Sequence, residues 1–165
     1  MKNVYLILTL LVVLTTNSFA QEKSPLDDLP DYITPLTYFG QRADWSHDGA
    51  RVLFIEKTFG DVFEVEVATG VIRPMTHHFF HEGFVRALYL SNGDILLSGA
   101  KNFNSEDPWK SRDARNTELW VLKKDLMSPP TPLGVHCKEG PAVSRKEMKI
   151  AWALGSTIYL SLIHI

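Results

Sequence analysis

The residues best suited to chemistry are three imidazoles and a neighbouring carboxylate, His77, His78, His81 and Glu82. These side chains are common metal ligands, and a metal site needs two or three of them to converge. Their spacing fits neither one face of a helix nor one face of a strand, which favours a solvated loop over a metal centre. The sequence therefore predicts no bound metal and no cofactor, and it leaves the four residues as candidates for contact with a ligand.

A second candidate group lies in the polar stretch from Gly99 to Thr117, which carries Trp109, Lys110 and Arg112. The stretch is far longer than the ~2–5 residues usual in a hairpin loop, and functional residues are concentrated in such loops. A single polar residue of a surface loop is more often solvated than bound to a partner. An exposed tryptophan often anchors a ligand, so Trp109 is the strongest candidate of the three.

The sequence contains no recognisable catalytic motif. It has no Gly-x-Ser-x-Gly elbow, no His-Glu-x-x-His pair, no phosphate-binding glycine loop and no paired-cysteine motif. His47 occupies the variable position of a turn and is expected at the surface, and Asp48 is expected to form that turn rather than to act as an acid. No residue is therefore predicted to be catalytic, which favours a protein that is not an enzyme.

The elements that position these loops are predicted to be short antiparallel strands. Two β-rich runs, Arg51 to Lys57 and Val62 to Val67, are bounded by Asp/Gly turn signals. The first run is apolar at every position from Val52 to Ile55, so both of its faces must be covered. In the second run the apolar side chains are expected to face inward and the glutamates, Glu64 and Glu66, to face water. The packed interior is expected to include Trp45, Phe54 and Val65.

The same pattern recurs along the chain. The turn sequence Trp45–Gly49 matches Leu90–Asp94, and more loosely Val143–Glu147, so the repeats are about 45 to 53 residues apart. A proline-containing segment also recurs, as Ile33–Thr37 and Ile72–Thr76. Periods of about 40–50 residues with four short strands each are typical of propeller blades.

The Trp-Ser-x-Asp-Gly turn at Trp45–Gly49, the two strands after it and the closing Pro74–Thr76 resemble the propeller repeat of TolB-like periplasmic proteins. The same repeat forms the propeller domains of prolyl-oligopeptidase-type enzymes. The resemblance extends from about Ile33 to the C-terminus and is strongest over Asp44–Thr76. It implies an all-β fold, a β-propeller of four-stranded antiparallel blades that is incomplete, because such rings hold six to eight blades. It says little about activity, since many functions share this scaffold.

The propeller portion is expected over residues 32–165, after a flexible lead-in at residues 21–31. Its blades are predicted at about 38–76, about 84–135 and, incompletely, about 140–165. Two and a half blades would leave apolar faces and strand edges exposed, so the chain is expected to be the N-terminal part of a longer ring. The alternative is a small ring assembled from several copies of the chain. Ile33–Thr37 is expected to be an outer strand that completes the last blade of that ring.

Strand alternation predicts where the candidate residues meet. With strands A to D running from the centre of a blade outward, the B–C and D–A connections emerge on one side and the tight A–B turns on the other. The histidine loop and the insertion should therefore share a rim, opposite the Asp48-Gly49 and Asn92-Gly93 turns. The predicted ligand-facing rim comprises His77, His78, His81, Glu82, Trp109, Lys110 and Arg112.

Residues 1–20 are expected to be a cleaved signal peptide. A basic start at Lys2, an apolar core at Val4–Leu14 and a small-residue site at Ser18–Ala20 occur together, which predicts cleavage after Ala20 and a secreted or periplasmic protein. The apolar core is shorter than the ~20 residues that span a bilayer, so no membrane span is expected after cleavage. Cys137 is the single cysteine, which excludes an internal disulfide.

Three functions are compatible with these observations. The favoured one is an exported, non-catalytic module that binds a protein, peptide or glycan. The alternative is the N-terminal propeller of a secreted prolyl-oligopeptidase-type serine hydrolase, whose catalytic domain would follow Ile165. A propeller lyase that uses the histidines with a metal is the third. Nucleic acid is not an expected partner, because the formal net charge is −2 and the sequence has no basic patch.

Overall fold

The computed structural model describes residues 24–112, 117–137 and 140–162. The chain divides into two compact units, residues 1–34 and residues 35–165. The predicted signal peptide and its cleavage site lie outside the described residues. Among the residues that are described, no helix is long and apolar enough to cross a membrane.

The described part of the first unit contains one turn of 3-10 helix, Pro25–Asp28, which begins where the Ser24 hydroxyl accepts a hydrogen bond from the backbone of Leu26 at 3.2 Å. No strand forms at Ile33–Thr37, and the pairing of this segment with the last blade of a longer ring stays a prediction. Prolines lack the N–H that a strand ladder uses, and the Thr37 hydroxyl donates to the nearby Phe39 carbonyl at 2.5 Å. This segment therefore follows a local turn conformation instead of pairing.

The first sheet has four antiparallel strands in sequence order, β1 (Gln41–Trp45), β2 (Arg51–Ile55), β3 (Val62–Glu66) and β4 (Ile72–Pro74). The β1–β2 turn closes because Asp48 Oδ1 accepts hydrogen bonds from the Ser46 hydroxyl at 2.5 Å and from the backbone N–H of Ala50 at 3.0 Å. Gly49 supplies the positive φ of +69° that this reversal needs. The predicted A–B–C–D meander is confirmed.

The second sheet repeats this order with β5 (Phe84–Tyr89), β6 (Ile95–Ala100), β7 (Thr117–Leu122) and β8 (Thr131–His136). Asn92 shapes its A–B turn, because its side-chain oxygen accepts a hydrogen bond from the Asp94 N–H at 3.0 Å. The predicted insertion separates β6 from β7 and contains a single helical turn, α1 (Pro108–Ser111).

The third sheet has three strands, β9 (Ala142–Val143), β10 (Lys149–Leu154) and β11 (Thr157–Leu162), with β10 in the centre. The innermost strand of the second sheet, β5, contacts both β1 and β9. The fold is thus all-β, three antiparallel sheets arranged as blades of a partial propeller, as the sequence predicts.

The core consists of apolar layers on the faces of these sheets. Leu53, Ile55 and Val62 of the first sheet pack against Ala87 and Leu97 of the second. A second layer lies between the second and third sheets and includes Leu96, Leu119, Val121 and Ile150. The remaining face of the first sheet carries a third cluster, Val52, Phe54 and Val65. Strand β2 is therefore buried on both faces, which confirms the prediction from its continuous apolar run.

Glu64 does not face water as predicted but is 2% exposed. The prediction is wrong because the face of β3 that packs on the second sheet is the one that carries Val62 and Glu64, whereas Phe63 and Val65 lie on the opposite face. Alternation separated the two faces correctly, and Val65 is buried as expected, but the face that carries Glu64 is covered as well. Glu66 is exposed, as expected.

The prediction that Trp45 belongs to the packed interior is also wrong, since the residue is 52% exposed. Its neighbour Asp44 takes the inward position and accepts hydrogen bonds from the Tyr89 N–H at 2.8 Å and from Arg145 at 2.5 Å. Because successive side chains of a strand point to opposite faces, Trp45 points away from this contact. The Asp44 carboxylate thereby joins all three sheets near the centre of the arc.

Candidate functional site

The two predicted loops are neighbours. The loop between β4 and β5 and the insertion between β6 and β7 line one cavity of about 130 Å³, which His81 and Glu82 share with Ala100 and Lys101. A cavity of about 340 Å³ joins the same loop to Phe103 of the insertion. We call this side of the molecule the loop rim, and it is formed by residues 56–61, 77–83 and 101–112.

The histidines of the loop rim are organised by a carboxylate that follows the β2–β3 turn. Asp61 Oδ2 lies 3.0 Å from His77 Nδ1, and Asp61 Oδ1 lies 2.8 Å from His81 Nε2. The Thr76 hydroxyl donates to Asp61 Oδ1 at 2.8 Å. Burial alone would raise the pKa of Asp61, but the hydrogen bonds from His77, Thr76 and His81 outweigh it and hold that pKa below its ordinary value. Asp61 is therefore a charged acceptor that fixes the loop.

His81 is engaged at both ring nitrogens. Its Nδ1 accepts a hydrogen bond from the Gly83 N–H at 2.9 Å, so the proton of the neutral ring lies on Nε2, towards Asp61. His78 has a different partner, because its Nε2 lies 3.1 Å from the Leu126 carbonyl oxygen. The three histidines thus do not converge. Within the described ranges, no group of three His, Cys, Asp or Glu residues is placed to hold a metal ion.

The insertion presents Trp109, which is 77% exposed, on the helical turn α1. The turn begins at Asp107, whose side chain accepts a hydrogen bond from the backbone of Lys110 at 3.2 Å. The Arg112 guanidinium lies over the Trp109 ring, 5.3 Å from its centroid. Of the described residues, those that line the two cavities shared by His81 do not include Trp109. The predicted rim residues therefore do not form one group: His77 and His81 meet at Asp61 and His78 contacts Leu126. Trp109 and Lys110 lie on α1, and Arg112 follows it directly.

The residue after α1 adjoins a third, small cavity that the sequence analysis missed. Arg112 lines this space of about 50 Å³ together with Arg42, Arg86 and Ser98. Arg42 and Arg86 belong to β1 and β5, the innermost strands of consecutive sheets. One sequence signal could have indicated them, because the dipeptide Arg-Ala recurs in both strands, at Arg42 and at Arg86.

A larger cavity, of about 530 Å³, lies on the opposite side, between the first two sheets. It adjoins the tight turns, which we call the turn rim, formed by residues 46–50, 91–94 and 144–148. Glu64 lies in its wall, where Oε1 accepts from Arg73 at 2.5 Å and Oε2 accepts from the Tyr89 hydroxyl at 2.5 Å. Burial, followed by the hydrogen bond to Glu64, raises the pKa of Tyr89.

The charged groups beside the turn rim thus pair with other groups of the protein. Arg51 adds a contact to Glu64 at 3.8 Å and one to Asp48 at 3.5 Å. Asp94 Oδ2 lies 3.3 Å from the Lys123 ammonium, and Asp94 Oδ1 accepts from the Lys124 N–H at 3.0 Å. These pairs join strands and turns within a sheet, and the Tyr89–Glu64 hydrogen bond joins the first two sheets, so the size of this cavity is not by itself a sign of a ligand.

Solved structures similar to this chain include TolB from Acinetobacter baumannii, with a TM-score of 0.50 and 16% sequence identity over 73% of this chain and 28% of that one. A candidate TolB from Agrobacterium tumefaciens is 16% identical, with a TM-score of 0.44 over 71% of this chain and 39% of that one. No protein-family model matches the chain, and no curated protein matches it in sequence. The first similarity establishes a TolB-like fold, and the chain spans less than half the length of both structures.

Proposed function

We propose that this chain, with its TolB-like fold, is part of an exported β-propeller that binds a protein, peptide or glycan through its loop rim and performs no catalysis of its own. The observation that carries the proposal is the contrast in charge pairing. Arginines beside the turn rim pair with carboxylates of the chain, whereas the three arginines that line the small cavity beside the loop rim have no such partner among the described residues. A guanidinium whose charge no described carboxylate neutralises is available to an anionic group of a ligand.

The position of Trp109 supports the same rim. A tryptophan that is 77% exposed and stacked against a guanidinium combines a large apolar surface with a charge, and both residue types are enriched where proteins bind one another. Exposed Phe80 on the neighbouring loop adds a further apolar side chain. The loop rim therefore offers aromatic and cationic groups on adjacent loops.

The absence of catalysis is supported by the state of the best acid–base pair. A general base needs a nitrogen or oxygen within reach of a substrate proton. One ring nitrogen of His81 accepts a hydrogen bond from the Gly83 N–H, and the other donates one to Asp61. Asp61 in turn accepts hydrogen bonds from three side chains. Export rests on the N-terminal sequence pattern alone.

The test is a partner-binding assay on the full-length protein. Trp109→Ala and the triple variant His77/His78/His81→Ala are compared with Trp45→Ala, an exposed tryptophan beside the turn rim, using cross-linking to the exported fraction of the source cells. Loss of a cross-linked species in Trp109→Ala, with its thermal midpoint and the binding of Trp45→Ala retained, supports the proposal. Unchanged cross-linking in both loop-rim variants would contradict it. Labelling by a fluorophosphonate would favour the serine-hydrolase alternative.

A further inference from the structure

We propose that the cavity shared by Arg42, Arg86 and Arg112 at the loop rim is a binding site for an oxyanion, a carboxylate or phosphate group carried by the partner. The inference rests on the proposed function insofar as it names the chemistry that the loop rim recognises. Guanidinium groups match the geometry of these anions, and they bind them through paired, charge-assisted hydrogen bonds. The cavity of about 50 Å³ exceeds the space that one water needs, which suits a single small anionic group.

The positive charges at this site have no carboxylate partner among the described residues. No carboxylate among residues 24–112, 117–137 and 140–162 forms an ion pair with any of the three arginines. Burial, followed by repulsion from Arg112 and Arg86, lowers the pKa of Arg42. Like charges held together in a partly buried place are unfavourable, and an anion between them would remove that cost.

Each of the three arginines is held in place by different local contacts. Arg42 sits at an irregularity of the β1–β2 ladder with a φ of +57°, and it donates to the Val85 carbonyl at 2.6 Å. A side chain with positive φ at a bulge is a strained arrangement of the kind that persists at functional sites, where it redirects a side chain. The ladder of β5 is also irregular, between Phe84 and Arg86.

Arg86 and Arg112 are supported by their surroundings. A methyl group added at Gly140 would collide with the Nε and Cδ atoms of Arg86, so the guanidinium lies directly over that glycine. Arg112 rests on the Trp109 ring. Two inner strands and the insertion thus each direct one guanidinium group to the same cavity. Such a cluster would not be expected if arginines were scattered at random over the surface.

A buried hydroxyl supplies an independent observation. Ser98 is 1% exposed and lines the cavity, and its hydroxyl has no hydrogen-bond partner among the described residues. Buried hydroxyls are nearly always hydrogen-bonded, so an exception calls for an explanation. An acceptor bound in the cavity provides one. Thr117, which lines the same space, by contrast donates its hydroxyl proton to the Ser111 carbonyl at 3.2 Å.

The experiment is a titration of the full-length protein with inorganic phosphate and, separately, with acetate, at ionic strength held constant with sodium chloride. Binding is followed by the NMR signals of the arginine Nε–H groups. We expect saturable shifts, with the anion that saturates at the lower concentration identifying the preferred group. Arg86→Gln and Arg112→Gln should each weaken binding about tenfold, as the loss of a charged hydrogen bond does. Lys146→Gln, which removes one exposed charge from the turn rim, should leave it unchanged.

Gly140→Ala separates position from charge, since it displaces Arg86 and removes no cation, and it should weaken binding while Ser98→Ala has a smaller effect. Shifts that rise linearly with concentration, or that fall equally in Lys146→Gln, would overturn the inference. Partner cross-linking distinguishes this failure from that of the proposed function. If Trp109→Ala abolishes cross-linking but neither anion binds, the inference fails alone. If an anion binds but cross-linking is insensitive to Trp109, the proposed function fails alone.

Discussion

The two rims of this molecule use the same residue in opposite ways. Every described arginine in or beside the turn rim pairs with a carboxylate of the chain, and this set is Arg51, Arg73 and Arg145. None of the described arginines at the loop-rim cavity does so, and this set is Arg42, Arg86 and Arg112. The paired set joins strands and sheets, as Arg145 does when it reaches Asp44 from the third sheet.

This difference suggests that the two sets of arginines have different roles, the paired set in stability and the set at the loop-rim cavity in recognition. A buried charge that keeps its partners fixes the positions of the groups around it. Removal of one partner leaves the others without their counter-charge or hydrogen bond. A cation that forms no ion pair among the described residues has no charge pairing to lose, so its removal should cost less than removal of a paired one. We therefore expect substitutions near the turn rim to change stability and substitutions of the loop-rim arginines to change binding.

Glu64→Ala should have the largest effect, about 3 kcal/mol of the free energy of unfolding, because it removes a buried carboxylate and leaves a buried donor without its acceptor. The groups that lose this carboxylate are the Arg73 guanidinium and the Tyr89 hydroxyl. The measurement is urea unfolding of the full-length protein. Glu66→Ala, at an exposed position of the same strand, is the matched control and should fall within about 0.5 kcal/mol of the parent protein. Equal effects of the two variants would show that Glu64 is not a partner that the fold requires.

Gly83→Ala tests whether the loop rim is structurally fixed, although the arginines of the adjoining cavity form no ion pair among the described residues. Gly83 has a φ of +87°, and an added Cβ would collide with the Phe59 backbone. The expected loss is about 1–3 kcal/mol of stability, since a strained backbone conformation would have to be maintained against a clash. Gly49→Ala has a positive φ but nothing within 4 Å of the added atom, so it should cost less. A larger loss for Gly49→Ala would contradict this view of the loop.

Much of the fold could be predicted because its signals are local. The Asp48-Gly49 and Asn92-Gly93 turns and the apolar run Val52–Ile55 each specify a strand boundary or a covered face within a few residues. Glu64 was misassigned because its burial depends on the Tyr89 hydroxyl, 25 positions along the chain. A period of two shows that two faces differ, but which face meets the next sheet depends on packing between sheets.

The candidate site was predictable in outline only. Strand alternation predicted that the histidine loop and the insertion would be neighbours, and they are. It could not show that His77 and His81 would meet at Asp61, because that contact depends on the conformations of two loops. Arg42 was missed since its role depends on a bulge and on an Arg86 that lies 44 positions later. Such a three-way approach has no compact sequence signature.

Acidification should weaken the fold at both rims. Hydrogen bonds hold the pKa of Asp61 at the loop rim and that of Asp94 at the turn rim below the ordinary value of 3.8, despite the opposing effect of burial. The unfolded chain therefore takes up protons first, so this stability is present above pH 3.8 and is lost as the pH falls through the lower folded pKa values. Thermal midpoints measured from pH 6 to about pH 2.5 should decline less steeply in Asp61→Asn and Asp94→Asn than in the parent. If the curves of thermal midpoint against pH were parallel in the variants and the parent, the lowered pKa values of Asp61 and Asp94 would be contradicted. Both carboxylates would then contribute to packing alone.

The smallest stability effect is expected for Arg86→Gln, within about 0.5 kcal/mol of the parent protein. Arg86 is exposed and has no described ion pair to lose, and its removal relieves repulsion on Arg42. Arg73→Gln provides the contrast, since it removes a partner of buried Glu64, and it should be clearly more destabilising in the same urea experiment. If the two variants were equally destabilised, the distinction between paired and unpaired arginines would have no energetic basis.

The most direct test of the central claim, that the loop rim is the ligand-facing side, compares the two exposed tryptophans. A photoreactive benzoylphenylalanine replaces Trp109 in one variant of the full-length protein and Trp45 in another, and irradiated cells are analysed for covalent adducts by mass spectrometry. Trp109 lies on α1 of the loop rim, whereas Trp45 ends β1 beside the turn rim. The account predicts a discrete partner adduct at position 109 and none at position 45. A discrete adduct at position 45 with none at position 109 would contradict it.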